Sequence, residues 1–265
     1  MTDAISDRPV AVITGAAHGL GAQIAERLSA DGFSVALLDV QEEGLAAVAE
    51  RLSHLHPEAE ARTHALDLSD EARVAEVFTE IEARWRRVDA LVNTAGGSGT
   101  VPVRDIEELS LDAWTTVLRN NITSAFLCAR HAVPIMRRRN FGRIVNFSSG
   151  ISQGIAGPTG TVGARLAYAT SKGAVNSFTK QLAKDLALSG ITVNALSPGL
   201  IVPQEGRIRT MFSSLSSESQ AAIRDSIPMG RPGTGEEVAA AVAYLVSPQA
   251  GFTSGAILSV DGAAA

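Results

Sequence analysis

Short apolar runs alternate along the chain with longer stretches in which apolar positions recur every three or four residues. The runs at 10–14, 34–39, 62–66, 90–93, 143–147, 192–196 and 256–260 read as strands, and several, such as Val-Ala-Val-Ile and Val-Ala-Leu-Leu, are apolar throughout. Strands covered on both faces read this way. The intervening periodic stretches predict helices at about 19–31, 42–54, 70–86, 111–138, 165–189 and 235–247. The alternation implies an α/β fold, with a doubly wound parallel sheet of about seven strands and helices on both faces. Two segments escape it. One is the Gly-rich stretch 150–164; the other is 198–233, with four prolines and a weak helical pattern around 216–226.

No repeat, linker or low-complexity tract divides the chain, so residues 1–265 read as one domain. Hydrophobic residues make up 45% and charged residues 19%, and the formal net charge is −5. The compact cluster Arg137-Arg138-Arg139 reads as a solvated helix end, where positive charge meets the C-terminal dipole, and nucleic-acid binding is not expected. Cys128 is the only cysteine and reads as an inert core thiol. No apolar run has the length of a membrane span and the first residues lack a signal peptide's apolar segment, so a cytoplasmic protein is expected. The five histidines form no convincing metal set.

The first strand runs into Thr14-Gly-Ala-Ala-His-Gly-Leu-Gly21 and then a helix. Glycines 15, 19 and 21 permit a tight turn and close approach of backbone to phosphate, while the helix N-terminus supplies N–H groups. Gly15, His18, Gly19, Leu20 and Gly21 therefore become candidates for binding a dinucleotide. The second strand ends at Asp39, where a carboxylate accepts hydrogen bonds from ribose hydroxyls and repels a 2′-phosphate. NAD is favoured over NADP, and the absence of Arg or Lys just after Asp39 agrees. Asp67 and Leu68 follow the third strand; Asp67 either faces adenine or caps the next helix. Asn93, Ala95 and Gly96 form a thin turn after the fourth strand, with Asn93 facing the cofactor or bracketing neighbouring strands.

Tyr168 and Lys172 lie four residues apart in a predicted helix, which places a phenol and an ammonium on one face. A cation there favours tyrosinate and makes the phenol an acid-base group. Such a pair also arises as a surface tyrosine lying over a lysine stem.

With these motifs together, the chain resembles the short-chain dehydrogenase/reductase family from residue 9 to 263, specifically its NAD-preferring members. The family's Thr-Gly-x-x-x-Gly-x-Gly turn stands at 14–21 and its Tyr-x-x-x-Lys pair at 168–172. Its Asn-Asn-Ala-Gly turn is similar to Asn93-Thr-Ala-Gly96, and its strand-terminal serine to Asn146-Phe-Ser-Ser149. Its Asn-x-x-x-x-Phe pattern matches Asn121 to Phe126, and its Pro-Gly matches Pro198-Gly199. The resemblance implies a Rossmann-type NAD-binding domain in which Tyr168 exchanges a proton with the substrate oxygen and Ser149 hydrogen-bonds that oxygen. Lys172 would hold the nicotinamide ribose and acidify Tyr168, and Asn121 would place a water that continues the proton path. Ser149 is preferred to Ser148, and Asn121 to Asn120, by their place in the motifs. Pro198, Gly199 and Ile201 would complete the cofactor site together with Tyr168 and Lys172.

The chain departs from the family in two places. The segment from Ser149 to Tyr168 is long, and either lids the pocket or makes a surface excursion; Arg165 within it anchors an anionic substrate or simply starts the helix. Where the family often has a threonine contacting the nicotinamide, this chain has Pro203. The stretch at about 202–231 reads as a substrate flap, in which Arg207 and Arg209 either meet a carboxylate or, as exposed arginines usually do, meet only water. The expected activity is NAD-dependent hydride transfer between nicotinamide and a small-molecule secondary alcohol or ketone. An NADPH-dependent 3-oxoacyl thioester reductase and a non-catalytic nucleotide-binding scaffold are the alternatives. The resemblance also implies a homo-oligomer, tetramer or dimer, assembled through helices 111–138 and 165–189 and the C-terminal edge.

Overall fold

Seven parallel strands form one sheet in the order β3-β2-β1-β4-β5-β6-β7. They are β1 (Val10–Thr14), β2 (Ser34–Asp39), β3 (Ala61–Ala65), β4 (Ala90–Asn93), β5 (Gly142–Phe147), β6 (Ile191–Pro198) and β7 (Ile257–Val260). The computed structural model describes residues 7–98, 106–154 and 162–264. Every residue of β1, β2, β4 and β5 is buried, which explains the apolar runs at their centres. The edge strands β3 and β7 are partly exposed and correspondingly more mixed.

Alternate residues of each inner strand feed two cores. Val10 and Val12 of β1 and Ala36 and Leu38 of β2 pack with α3 (Glu71–Trp85) and α5 (Ser124–Arg138). Ala11, Ile13, Val35 and Leu37 pack on the opposite face with α1 (Gly19–Ala30), α2 (Glu42–Leu55) and α9 (Gly235–Val246). A fully buried Ile or Leu of this kind contributes about 1.5–3 kcal/mol. Cys128 is completely buried in the first core, where desolvation pushes its thiol up to about 12.

The predicted helix at 111–138 is interrupted. It consists of α4 (Leu111–Leu118), one π turn over Arg119–Thr123, and α5. A π turn inserts a residue into the hydrogen-bonding ladder without removing the apolar stripe, so the periodicity passes over it. The predicted helix at 165–189 is α6 (Val162–Asp185), followed by a short 3-10 turn, Ala187–Ser189. Within the stretch 202–231 the chain forms α7 (Arg207–Ser214) and α8 (Ser217–Asp225). Only the second matches an expected helix. After Ser149 there is a 3-10 turn, Gly150–Gln153; the rest of the long segment, at 155–161, lies outside the described residues, as does the side chain of Arg165.

Because all strands are parallel, their carboxyl ends lie on one side of the sheet. The turns after β1, β2, β4, β5 and β6 therefore meet around a common crevice, as expected for doubly wound sheets.

Candidate active site

A cleft of about 690 Å³ runs across those strand ends. At one end stand His18, Gly19, Asp39, Gln41, Asp67 and Leu68; at the other stand Ser148, Ser149, Tyr168 and Lys172. Gly15, Leu20, Gly21, Ala95, Gly96, Pro198, Gly199 and Ile201 also line it. Two expected residues do not. Asn93 turns away and donates from Nδ2 to Asn146 Oδ1 at 2.8 Å, so it braces β4 against β5. Asn121 is buried behind the wall, and its neighbour Asn120 faces the cleft.

The glycine turn is shaped by contact. A Cβ on Gly21 would lie 2.1 Å from the carbonyl oxygen of Gly15, so a larger residue would push the turn apart. His18 occupies the N-cap of α1 with no side-chain cap, and the first turn carries no acidic residue. The N–H groups at this helix start are therefore not answered by a carboxylate and suit a phosphate.

Asp39 is 7% exposed at the end of β2. Its Oδ2 accepts from Ala17 N at 3.2 Å and its Oδ1 from Gln41 N at 3.1 Å. Each oxygen retains acceptor capacity for a hydroxyl. Lys172 is the one lysine or arginine among the described residues lining the cleft, and it stands at the opposite end. Near Asp39 there is thus a second carboxylate, Asp67, but no lining cation. Asp67 does not cap α3, since Asp70 does so by accepting from Arg73 N at 3.1 Å. Asp67 instead accepts from Ser69 N at 2.8 Å, and this backbone bond is the main reason its carboxyl is held below the usual range.

Ser149 lies beside the Tyr168 hydroxyl, where its side chain draws the phenol's pKa down. Ser149 also caps the following 3-10 turn by accepting from Ile151 N at 3.4 Å. Ser148 is directed elsewhere, donating to the carbonyl oxygen of Lys172 at 3.4 Å. The second serine of the doublet is thus the one that meets the phenol. Lys172 is 3% exposed; its Nζ lies 5.4 Å from the centre of the Tyr168 ring. Burial pushes the phenol up, with Ser149 working in the opposite direction. Burial also brings Lys172 down from 10.5 to about 8. The acidification of Tyr168 expected from the pair is therefore not found in the protein by itself, where desolvation dominates both groups.

Asn121 sits in the π turn and is 2% exposed. Its Nδ2 donates to the carbonyl oxygens of Gly97 and Val117, each at 2.8 Å, and its Oδ1 accepts from Gly97 N at 3.1 Å. The side chain is fully engaged in joining the turn after β4 to the start of α5. Gly96 makes this possible, because a Cβ there would be 2.3 Å from Asn121 Oδ1.

Several cleft residues had no sequence motif to mark them, including Asn120, Glu205, Gly206 and Ile208. Asn120 was adjacent to a motif residue, and the others become neighbours only when the segment after β6 folds back. Pro203 lines the cleft there, where it offers no N–H. Arg209 is exposed on α7, and the side chain of Arg207 lies outside the described residues. No group of three or more His, Cys, Asp or Glu suited to a metal occurs among the described residues.

Over residues 15–263 the sequence matches the family described as enoyl-(acyl carrier protein) reductase. It is 37% identical over 253 residues to 2-dehydro-3-deoxy-L-rhamnonate dehydrogenase (NAD(+)) of Sphingomonas sp. (strain SKA58), covering 95% of this chain and 93% of that protein. It is 35% identical over 255 residues to the 3-oxoacyl-(acyl-carrier-protein) reductase FabG of Aquifex aeolicus (strain VF5), covering 96% of each. Among solved structures, levodione reductase superposes with a TM-score of 0.84 at 31% identity, covering 96% of both chains.

Proposed function

The chain belongs to the short-chain dehydrogenase/reductase family, and from that premise we propose that it is an NAD(H)-dependent oxidoreductase acting on a small or medium secondary alcohol or its ketone. The observation carrying this reading is that one cleft holds Asp39 at one end and Ser149, Tyr168 and Lys172 at the other. The family makes it an oxidoreductase that uses a nicotinamide cofactor. The choice of NAD rests on Asp39, which accepts from ribose hydroxyls and repels a 2′-phosphate in a region without a lining cation.

The remaining residues fit such a cofactor. Gly15, Gly19, Leu20 and Gly21 would bring backbone to the diphosphate, and Asp67 and Leu68 would flank the adenine. Ala95, Gly96, Pro198, Gly199 and Ile201 would line its path toward the nicotinamide. Bound there, the cofactor supplies the hydride acceptor or donor and, when oxidised, a positive charge that favours the phenolate. In the oxidative direction Tyr168 takes the proton from the alcohol hydroxyl, while Ser149 holds the same oxygen by hydrogen bonding. In reduction Tyr168 returns the proton as charge develops on the carbonyl oxygen. Lys172 holds the end of β5 beside the phenol and would bind the nicotinamide ribose. Asn121, its amide already committed, contributes to the proton path by fixing the π turn against Gly97.

Residues 1–265 would form one domain, with the stretch at about 202–231, including α7 and α8, as the substrate flap. Exposed Leu111, Phe126, Phe252 and Leu258 support a homo-oligomer, tetramer or dimer. A cytoplasmic location suits the single buried thiol; no described helix is long and apolar enough to cross a membrane. Turnover with NAD and with NADP across secondary alcohols, hydroxy acids, sugars and their ketones tests the reading. A clear preference for NADP would overturn the cofactor assignment. Activity with NADPH on 3-oxoacyl thioesters would favour the alternative suggested by the likeness to the Aquifex aeolicus reductase.

A further inference from the structure

Helix α6 does more than present Tyr168 and Lys172. Lys172, Asn176 and Thr179 follow at helical spacing on one face and bind successive points of β5 and the turn beyond it. Thr179 Oγ1 accepts from Asn146 Nδ2 at 2.9 Å, and Lys172 Nζ donates to Phe147 O at 2.7 Å. Ser148 Oγ donates to Lys172 O at 3.4 Å. Asn176 reaches past Ser149 and donates from Nδ2 to Ser152 Oγ at 3.1 Å. Ser152 in turn donates its N–H to Ser149 O at 2.9 Å.

We infer that Asn176 is a positioning residue for Ser149, holding its hydroxyl opposite Tyr168 through Ser152. Without this bond the turn after Ser149 would lose its side-chain tie to α6, leaving Ser149 held from that helix only by the Ser148 bond before it and by its contact with Tyr168 itself. The identity of residue 176 is itself informative. Its Oδ1 is shielded from solvent and has no partner among the described residues. A buried, unanswered amide oxygen costs free energy that an apolar side chain would avoid. The compensating use of the amide is the bond to Ser152.

The inference rests on Ser149 and Tyr168 being the reacting pair, but its test needs no turnover. The chain has only two tyrosines. In a Tyr244→Phe background, fluorotyrosine labelling leaves a single fluorine signal at position 168, and its pH titration reports the phenol directly. Since Ser149 lowers the phenol's pKa, Ser149→Ala is expected to move the titration up. Asn176→Ala is expected to move it in the same direction, and Ser152→Ala, which removes the same bond from its other end, to reproduce the shift. Combined with Ser149→Ala, Asn176→Ala should add nothing further. Turnover, measured separately, should fall on the order of fivefold in kcat/KM for Asn176→Ala, as for one lost hydrogen bond. An unchanged titration in Asn176→Ala, or a shift that adds in full to that of Ser149→Ala, would overturn the inference. Failure of all variants and the parent to oxidise or reduce any substrate, with the titration behaving as expected, would instead overturn the proposed activity and leave the positioning role standing.

Discussion

Lys172 donates from its buried Nζ to the carbonyl oxygen of Phe147 at 2.7 Å, joining α6 to the last residue of β5. The amine is desolvated, and its pKa falls from 10.5 to about 8. Between those values the unfolded chain binds the proton and the folded one does not, so stability rises with pH across that window. The full gain is about 3 kcal/mol. Urea unfolding at several pH values should show this rise in the parent and not in Lys172→Met. Equal slopes in the two proteins would assign it to another group.

Tyr168→Phe retains the ring and removes the hydroxyl beside Ser149. Its kcat is expected to fall by roughly 10²–10⁴, while NADH affinity changes little. Steady-state kinetics combined with fluorescence titration of NADH separates the two effects. Normal turnover would remove Tyr168 from the chemistry.

Asp39→Ala removes a carboxylate that also accepts from Ala17 N and Gln41 N. NAD affinity is expected to weaken by roughly tenfold or more, the scale of lost hydrogen bonds to a charged acceptor. Preference over NADP should shrink at the same time. Binding titrations with both reduced cofactors check this, and an unchanged ratio would contradict the assigned role.

Gly96→Ala and Gly97→Ala form a contrast one residue apart. Gly96 has φ +139° and faces Asn121, whereas a Cβ on Gly97 meets nothing within 4 Å. The first substitution is expected to destabilise by about 2 kcal/mol or more, with little change for the second. Thermal unfolding of both variants measures the difference.

The Cys128 thiol, pushed up to about 12 by burial, should be inert to a thiol reagent in the native protein and react in full in denaturant. Rapid reaction under native conditions would show that the first core opens around α5.

The seven strands were legible because burial on both faces demands apolar runs such as those at 10–14 and 34–39, with glycine turns marking their ends. Tyr168, Ser149 and Asp39 were legible because each has a fixed place relative to a strand end or a partner on the same helix. Helix α7 was not, since its N-cap Gly206 gives no capping hydrogen bond and Ile208 and Met211 remain exposed. The π turn was equally hidden, because one added residue leaves the apolar stripe intact. For Asn93, two roles suited the same residue, and only the position of Asn146 shows which bond it makes.

The strand order has a consequence for how the protein is made. β1 leaves the ribosome before the other six strands of the sheet, yet it lies between β2 and β4. Its pairing with β4 begins at Ala90 and ends at Asn93, far downstream of Thr14. At about 5–20 residues per second, that side of β1 waits about 4–16 s for its partner. Throughout this interval the apolar segment Val-Ala-Val-Ile-Thr presents an unpaired edge, the form most prone to join the wrong strand. The strand whose end opens the finished cleft thus spends part of synthesis with one apolar edge in need of protection.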